Sequence, residues 1–370
     1  MSVADNNTTG LNEQVVHEQE TIKQTRSYGK SNSIAEILSR DGRFSKLLKI
    51  FSSSNGSLQN DLADPRNQVT IFAPTDKAFE EFNQRRNASH EELEKILDYH
   101  IISDIIDEED VYKSDALVTN YIAPELLNEP QRILIERKTG GLYLNYGTEI
   151  SEANIEARNG IIHIIDQVLE LPKSIPEQLG EFSQFSIFLK ALEKSGLEKE
   201  FNEPGLTVFA PSNFAFKSLG PAAVDYLLST EGREDLRYIL RNHISPELIY
   251  AGDLKLPVDG RDARANKAES RGESFSDDND DEYLTRPRAQ IQGRGIDTYR
   301  VKYPSWIRGE EIRLYVVTDY RNNIDVTVNG QARIVLADGV AKNGVIHVID
   351  RVLLPVDVQL PKLQWHELNE

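Results

Sequence analysis

The sequence predicts an α+β protein made of two copies of one domain, and three observations carry that prediction. Val69-Thr70-Ile71-Phe72-Ala73-Pro74-Thr75-Asp76-Lys77-Ala78-Phe79 returns as Leu206-Thr207-Val208-Phe209-Ala210-Pro211-Ser212-Asn213-Phe214-Ala215-Phe216. Asn159-Gly160-Ile161-Ile162-His163-Ile164-Ile165-Asp166 returns as Asn343-Gly344-Val345-Ile346-His347-Val348-Ile349-Asp350. The two strings keep their order, so a whole domain is duplicated and not a single motif. Residue types kept in both copies are expected to build the fold. Those that differ are freer to serve function.

The elements follow in chain order. Residues 1 to 30 are rich in Asn, Thr, Gln and Glu and read as a disordered arm. Domain one is expected over 31–173. It opens with helical spacing: Ile34, Ile37 and Leu38, then Phe44, Leu47, Leu48 and Phe51. The matching positions in domain two, expected over 174–357, are Phe185, Phe188, Leu189 and Leu192. A strand of β-branched and aromatic residues comes next, Val69 to Phe72 and Leu206 to Phe209. Ala-Pro ends it, because proline cannot donate to a sheet ladder.

Thr75 and Ser212 then stand where a helix N-cap belongs, each with a hydroxyl able to accept from an unpaired N–H. A further helix carries Leu93, Ile96, Leu97 and His100 at i, i+3, i+4 and i+7, repeated by Leu236, Ile239, Leu240 and His243. The later half of each copy reads as strands: Arg132 to Ile135 and Leu142 to Asn145, then Arg313 to Val317 and Ile324 to Val328. Each copy closes with Asn-Gly at a turn and a strand that runs on to Pro172 or Pro355. Residues 358–370 form a polar tail.

The copies differ in length. Phe72 to His163 spans 91 residues, against 138 from Phe209 to His347. Most of the excess lies between His243 and His347, and it points to a charged surface insert over about 257–303. The insert holds the run Asp277 to Glu282. That run lacks the alternating ligands and central glycine of a calcium loop, so it reads as a solvated stretch.

Composition narrows the function classes. With 39% hydrophobic and 28% charged residues, the 370-residue chain is of soluble globular type. A net charge of −18 argues against nucleic-acid binding, which needs a basic footprint. No apolar run approaches the roughly 20 residues that span a bilayer. There is no cysteine, which excludes disulfides, thiol catalysis and Cys-ligated metals. No signal core is visible at the N-terminus and no lipid-anchor tail at the C-terminus. N-glycosylation triplets stand at Asn6, Asn7, Asn55 and Asn87.

The two duplicated strings, together with Asp98-Tyr99-His100-Ile101 between them, resemble the signature blocks of the fasciclin-type domain. The resemblance covers nearly the whole ordered chain. It implies, for each copy, a β-sandwich or wedge with helices packed along one side. It also implies an adhesion or interaction role in the secretory pathway, with no enzymatic activity and no cofactor. The expected partner is a protein or a cell-surface or polysaccharide ligand. In animal matrix members the Tyr-His segment is associated with integrin binding. Here Asn242 precedes His243, so domain two departs from that segment. The acidic insert and the absence of cysteine resemble fungal members, which are associated with the vacuole or the cell surface, and integrins are then not the expected partner.

The chemistry-bearing residues are weighed on their own terms. His163 and His347 each precede an aspartate by three positions, Asp166 and Asp350. Positions i and i+3 of a strand face opposite ways, so a His–Asp proton-transfer pair is disfavoured against a buried, hydrogen-bonded imidazole. His100 and His243 lie on apolar helix stripes and read as satisfied core histidines, not metal ligands. Tyr99 lies off its stripe and leaves two readings open, partner contact or semi-buried packing, with His100 beside it. Asp76 follows the N-cap and suits the positive end of its own helix dipole. Asn213 takes its place without charge, which speaks against a catalytic carboxylate. No phosphate loop, nucleophile elbow or His-Glu-x-x-His motif is present. Two alternatives to adhesion stand beside it: an enzyme using the motif histidines, and an intracellular scaffold.

Overall fold

The structure is a computed structural model that describes residues 31–53, 62–254, 297–319 and 323–361. The expected N-terminal arm, Asn6, Asn7, Asn55, the insert from 257 to 296 and the tail beyond 361 lie outside the described residues. The chain divides into two units, residues 1–122 with 130–171, and 123–129 with 172–370. Each is organised on its own seven-stranded sheet.

Domain one runs α1 (Ile34–Arg40), α2 (Ser45–Ser53), β1 (Val69–Pro74), α3 (Asp76–Arg85), α4 (His90–Tyr99), β2 (Ile101–Ile102), α5 (Glu108–Lys113), β3 (Ala116–Ala123), β4 (Glu129–Lys138), β5 (Gly141–Leu144), β6 (Thr148–Ala157) and β7 (Gly160–Ile165). Its sheet order is β2-β1-β7-β6-β5-β4-β3. β1 and β7 run parallel with Phe72 opposite His163, and β6 pairs antiparallel with β7.

Every residue of β1 and β7 is buried, which is why both read as unbroken apolar runs and not as alternating strands. One face of the pair, with Ile71, Ala73, Ile162 and Ile164, packs on the helices through Leu38, Leu47, Phe79, Phe82 and Leu97. The other face, with Phe72 and Ile165, packs on Tyr99, Ile133, Ile135 and Leu144 beneath the rest of the sheet. A fully buried phenylalanine contributes about 2–3 kcal/mol of transfer free energy, so Phe72, Phe79 and Phe82 anchor both layers.

Domain two repeats the plan with α6 (Ile175–Gly180), α7 (Ser186–Ser195), β8 (Leu206–Pro211), α8 (Asn213–Lys217), α9 (Pro221–Leu227), α10 (Arg233–Arg241), β9 (Ile244–Ser245), β10 (Asp297–Pro304), β11 (Glu311–Thr318), β12 (Ile324–Val328), β13 (Ala332–Ala341) and β14 (Gly344–Ile349). The order is β10-β11-β12-β13-β14-β8-β9, with β8 and β14 parallel and Phe209 opposite His347.

The Asn-Gly glycines sit where the parallel strands begin, and the space there admits no side chain. A Cβ on Gly160 would lie 1.7 Å from the Val69 carbonyl oxygen, and one on Gly344 2.1 Å from that of Leu206.

The end of the expected insert is ordered. Residues 297–303, expected within it, belong to β10. Val301 is buried while Arg300 and Lys302 face solvent, the charged pattern of a protected sheet edge. Strands β3, β6 and β13 and helices α5 and α9 were also not foreseen. β6 and β13 each carry register irregularities against their neighbour, which break the period of two that marks a strand in sequence.

Candidate functional site

The motif histidines belong to a buried polar scaffold, built twice, with the motif hydroxyls and aspartates at partly or fully exposed positions around it. At its first corner, Thr75 ends β1 in extended conformation and its hydroxyl accepts from the Ala78 N–H at 3.3 Å; Ser212 does the same for Ala215. Asp76 departs from expectation. Its carboxylate does not serve its own helix. Oδ1 accepts from the Lys46 N–H at 2.7 Å, and Oδ2 from the Ser45 hydroxyl at 2.6 Å and the Ser45 N–H at 3.2 Å. It therefore caps α2, which satisfies donors that the first turn of a helix leaves unpaired. Asn213 fills the same position by accepting from the Ile187 N–H at 2.9 Å and donating to Ser183 O and the Ser186 hydroxyl.

His100 follows α4 and folds back on it. Nδ1 donates to the Ile96 carbonyl at 2.6 Å, and Nε2 accepts from the Leu169 N–H at 3.0 Å. His243 repeats both bonds, to Ile239 O at 2.8 Å and from the Leu353 N–H at 3.0 Å. Each ring thus ties the end of a helix to the chain leaving the parallel strand. Burial pushes both imidazoles down to about 4, against weak opposition from the carbonyl each one meets. They are neutral, with both nitrogens engaged.

His163 stacks on Phe72 at 5.3 Å, and His347 packs on Phe209 at 5.4 Å. Nε2 of His163 donates to Ile106 O at 2.8 Å while Nδ1 accepts from the Asn154 N–H at 3.4 Å. His347 matches this with Ile249 O at 2.8 Å and the Asp338 N–H at 3.3 Å. Burial lowers both rings below the ordinary histidine value; for His347 the nearby Asp338 charge partly opposes this. Asp166 does not join His163. It accepts from the Glu149 N–H at 2.7 Å, and Asp350 likewise from the Arg333 N–H at 2.8 Å, so each pins the start of the preceding strand.

Two further pairs belong to the scaffold, one member in each copy, that local sequence pattern does not announce. Asn159, by sequence a turn residue, accepts at Oδ1 from the Ile34 N–H at 2.9 Å and donates from its amide to Leu62 O and Asp64 O. Asn343 repeats this with the Ile175 N–H, Phe201 O and Glu203 O. Asn154 and Asp338 both adopt left-handed backbone, φ 59° and 58°. Asn154 accepts from the Glu108 N–H that opens α5, and buried Asp338 accepts from the Ala251 and Gly252 N–H groups. The available signal was their repetition at a constant offset in both copies.

The expectation that Tyr99 and His100 meet a partner is corrected by their burial, since neither exposes any surface. The Tyr99 hydroxyl donates to Arg132 O at 2.8 Å and accepts from the Asn145 amide at 2.7 Å. Asn87 is exposed in the irregular stretch between α3 and α4. A surface cleft of about 490 Å³ in domain one is floored by Leu62, Val69 and Ile101 and rimmed by Gln68, Ser103 and Asn120; no motif histidine lines it. Among the described residues, no group of three or more His, Asp or Glu is placed to hold a metal ion, and no helix is long and apolar enough to cross a membrane.

The class defined here is a tandem repeat of one α+β domain, each copy held by the same internal network of histidine, asparagine and hydroxyl groups. The fasciclin domain profile matches residues 42–172 and 183–355, and the chain belongs to the fasciclin domain family. It is 28% identical over 236 residues to the aurofusarin biosynthesis cluster protein S of Gibberella zeae, covering 62% of this chain and 58% of that protein. It is 27% identical over 215 residues to a fasciclin-like arabinogalactan protein of Arthroderma benhamiae, covering 52% and 48%. Human periostin aligns over 82% of this chain and 29% of its own length at 24% identity. The chain thus spans about half the length of the first two relatives. The solved FAS1 domain pair from the insect cell adhesion molecule Fasciclin I covers 85% of this chain and 97% of its own at 18% identity, with a TM-score of 0.39.

Proposed function

We propose that this chain is a non-enzymatic interaction module of the secretory pathway, acting in adhesion or surface association at the cell surface or cell wall. The observation that supports it most is the state of the four motif histidines. Each is buried and neutral, with both ring nitrogens hydrogen-bonded inside its own domain. A general base or metal ligand needs a nitrogen open to substrate or ion. These residues supply stability instead, and recognition is left to the surface, toward a protein or polysaccharide ligand. Fasciclin domains occur in adhesion proteins and in fungal fasciclin-like proteins, which agrees with this reading. Exposed Asn87 is the described triplet suited to carry an N-glycan.

The test is saturable binding of the fluorescently labelled chain to isolated cell-surface and cell-wall fractions of its native host. Binding that resists competition by serum albumin supports the reading, and its absence in every fraction overturns it. A parallel His163→Ala variant separates structure from catalysis. A structural histidine predicts a large drop in the melting temperature, whereas a catalytic one leaves melting unchanged.

A further inference from the structure

Domain two fills with its own tryptophan a space that domain one leaves open. The copies align there through Asn145 and Asn329. Both have left-handed backbone, and each exchanges two hydrogen bonds with one residue, Leu134 or Arg313. The next residue in domain one, Ile135, donates its N–H to Asp115 O, and its equivalent Leu314 stands opposite Val301 on β10. Asp115 thus matches Val301, and five residues further on Asn120 of β3 matches Trp306. Both positions meet the short strand that follows a motif histidine. The Ser103 hydroxyl, just past β2, donates to Asn120 Oδ1 at 2.9 Å, and the Trp306 N–H donates to Ile244 O of β9 at 2.8 Å.

In domain two the Trp306 ring packs on the core cluster that holds Phe201, Leu206 and Ile244, and its indole N–H reaches the Glu200 carboxylate. The matching residues of domain one are Leu62, Val69 and Ile101. Leu62 answers to Phe201 because each carbonyl accepts from the scaffold asparagine of its copy. These three form the floor of the 490 Å³ cleft, with Asn120 at its rim. Asparagine is too short to cover that floor, and leucine fills less of it than phenylalanine. The polar lining is also reversed in kind. Among the described residues no carboxylate lines the cleft. Asn120 Oδ1 is taken by Ser103, while its amide N–H groups have no acceptor among the described residues. The Arg66 guanidinium is engaged by Asp64 at 2.7 Å, so the donors on offer are the amides of Asn120 and exposed Gln68.

We propose that the domain one cleft binds a planar aromatic ring with a hydroxyl at its edge, a phenol. Its apolar floor is the one that domain two covers with an indole, which sets the shape of the occupant. Its rim presents donors where domain two presents an acceptor, which sets the polar group. An apolar floor with a few directional polar groups is the usual make-up of a small-ligand site. A free phenolic compound and a tyrosine side chain of a partner protein share this chemistry. The site rests on the comparison of the two copies and not on the adhesion reading. Small molecules probe it without any cell-surface fraction, so either can fail alone.

The experiment is saturation-transfer nuclear magnetic resonance of the whole chain, with titration, using 4-methylphenol, N-acetyltyrosinamide, toluene and cyclohexanol as probes. A ligand this small is expected to bind with a dissociation constant on the order of 1 mM. Cyclohexanol, which keeps the hydroxyl but has no aromatic face, binds much more weakly. Asn120→Trp gives domain one the ring that domain two already has, so it abolishes binding without lowering the melting temperature. Asn120→Ala leaves the cleft open and removes one donor. It weakens 4-methylphenol by roughly 2- to 10-fold, the worth of one neutral hydrogen bond, and leaves toluene unchanged. Tyrosinamide that binds at least as tightly as 4-methylphenol assigns the ring to a partner's tyrosine, and weaker binding assigns it to a free compound. The proposal is overturned if neither phenol binds the wild type at about 10 mM, an order of magnitude above the expected constant. Equal binding of cyclohexanol overturns it too, as does a folded Asn120→Ala chain that binds 4-methylphenol like the wild type.

Discussion

Acidification should destabilise both domains through histidines that never reach the surface. His100 and His243 are held neutral by burial with values of about 4, against 6.5 for the free side chain. The sign follows from linkage. The folded value is depressed, so the unfolded chain binds the proton first, and stability is lost as pH falls from 6.5 toward 4. Integrating that difference gives a loss on the order of 2–3 kcal/mol per histidine between pH 7 and pH 4.5. His163 and His347 act in the same direction. The assay is urea denaturation at closely spaced pH values, paired with the His243→Gln variant. Glutamine cannot titrate, so the variant is less stable at pH 7 but loses less on acidification, by roughly 2–3 kcal/mol. Nuclear magnetic resonance of the folded chain should show the His100 and His243 ring protons unshifted down to pH 5. If wild type and variant share one pH dependence, or if those resonances titrate near pH 6.5, the burial argument is refuted.

Three other substitutions probe the same scaffold by thermal and urea unfolding. Gly344→Ala forces a methyl to within 2.1 Å of the Leu206 carbonyl oxygen, so β8 and β14 must part at their start, and a loss above about 3 kcal/mol is expected. Asn343→Ala strands the Ile175 N–H and the Phe201 and Glu203 carbonyls, for about 2–4 kcal/mol; a loss under about 1 kcal/mol would show that water replaces the amide. Tyr99→Phe keeps the packing but removes the hydroxyl shared by Arg132 and Asn145, for about 1–2 kcal/mol; an unchanged midpoint would contradict those two bonds.

The duplication, the two motif strands and the helix caps are legible because each rests on local pattern, whereas the parallel pairing of those strands joins residues about 90 to 140 positions apart and is not. A run of β-branched and aromatic residues such as Val69-Thr70-Ile71-Phe72 announces a strand, and a serine or threonine after Ala-Pro announces a cap. The partners of the scaffold were not legible. His163 reaches a carbonyl 57 residues away and His347 one 98 residues away, across connections of unequal length. Asp76 had an obvious local use at its own helix, but the neighbouring α2 offers donors with no other acceptor. Tyr99 lies off its apolar stripe by sequence, and only the sheet closing over α4 makes it interior.

The Asn-Gly step at the head of each parallel strand also sets a chemical clock. In an unfolded chain this dipeptide is prone to deamidation, because the glycine amide can attack the asparagine side chain unhindered. The product is an acid that cannot donate to Leu62 and Asp64, or to Phe201 and Glu203. In the fold both asparagines are buried and engaged. Each stay in the unfolded state therefore converts some chains into forms that refold poorly. Peptide mapping after timed incubation in urea should find the deamidated mass at Asn159 and Asn343 in step with the unrecovered fraction.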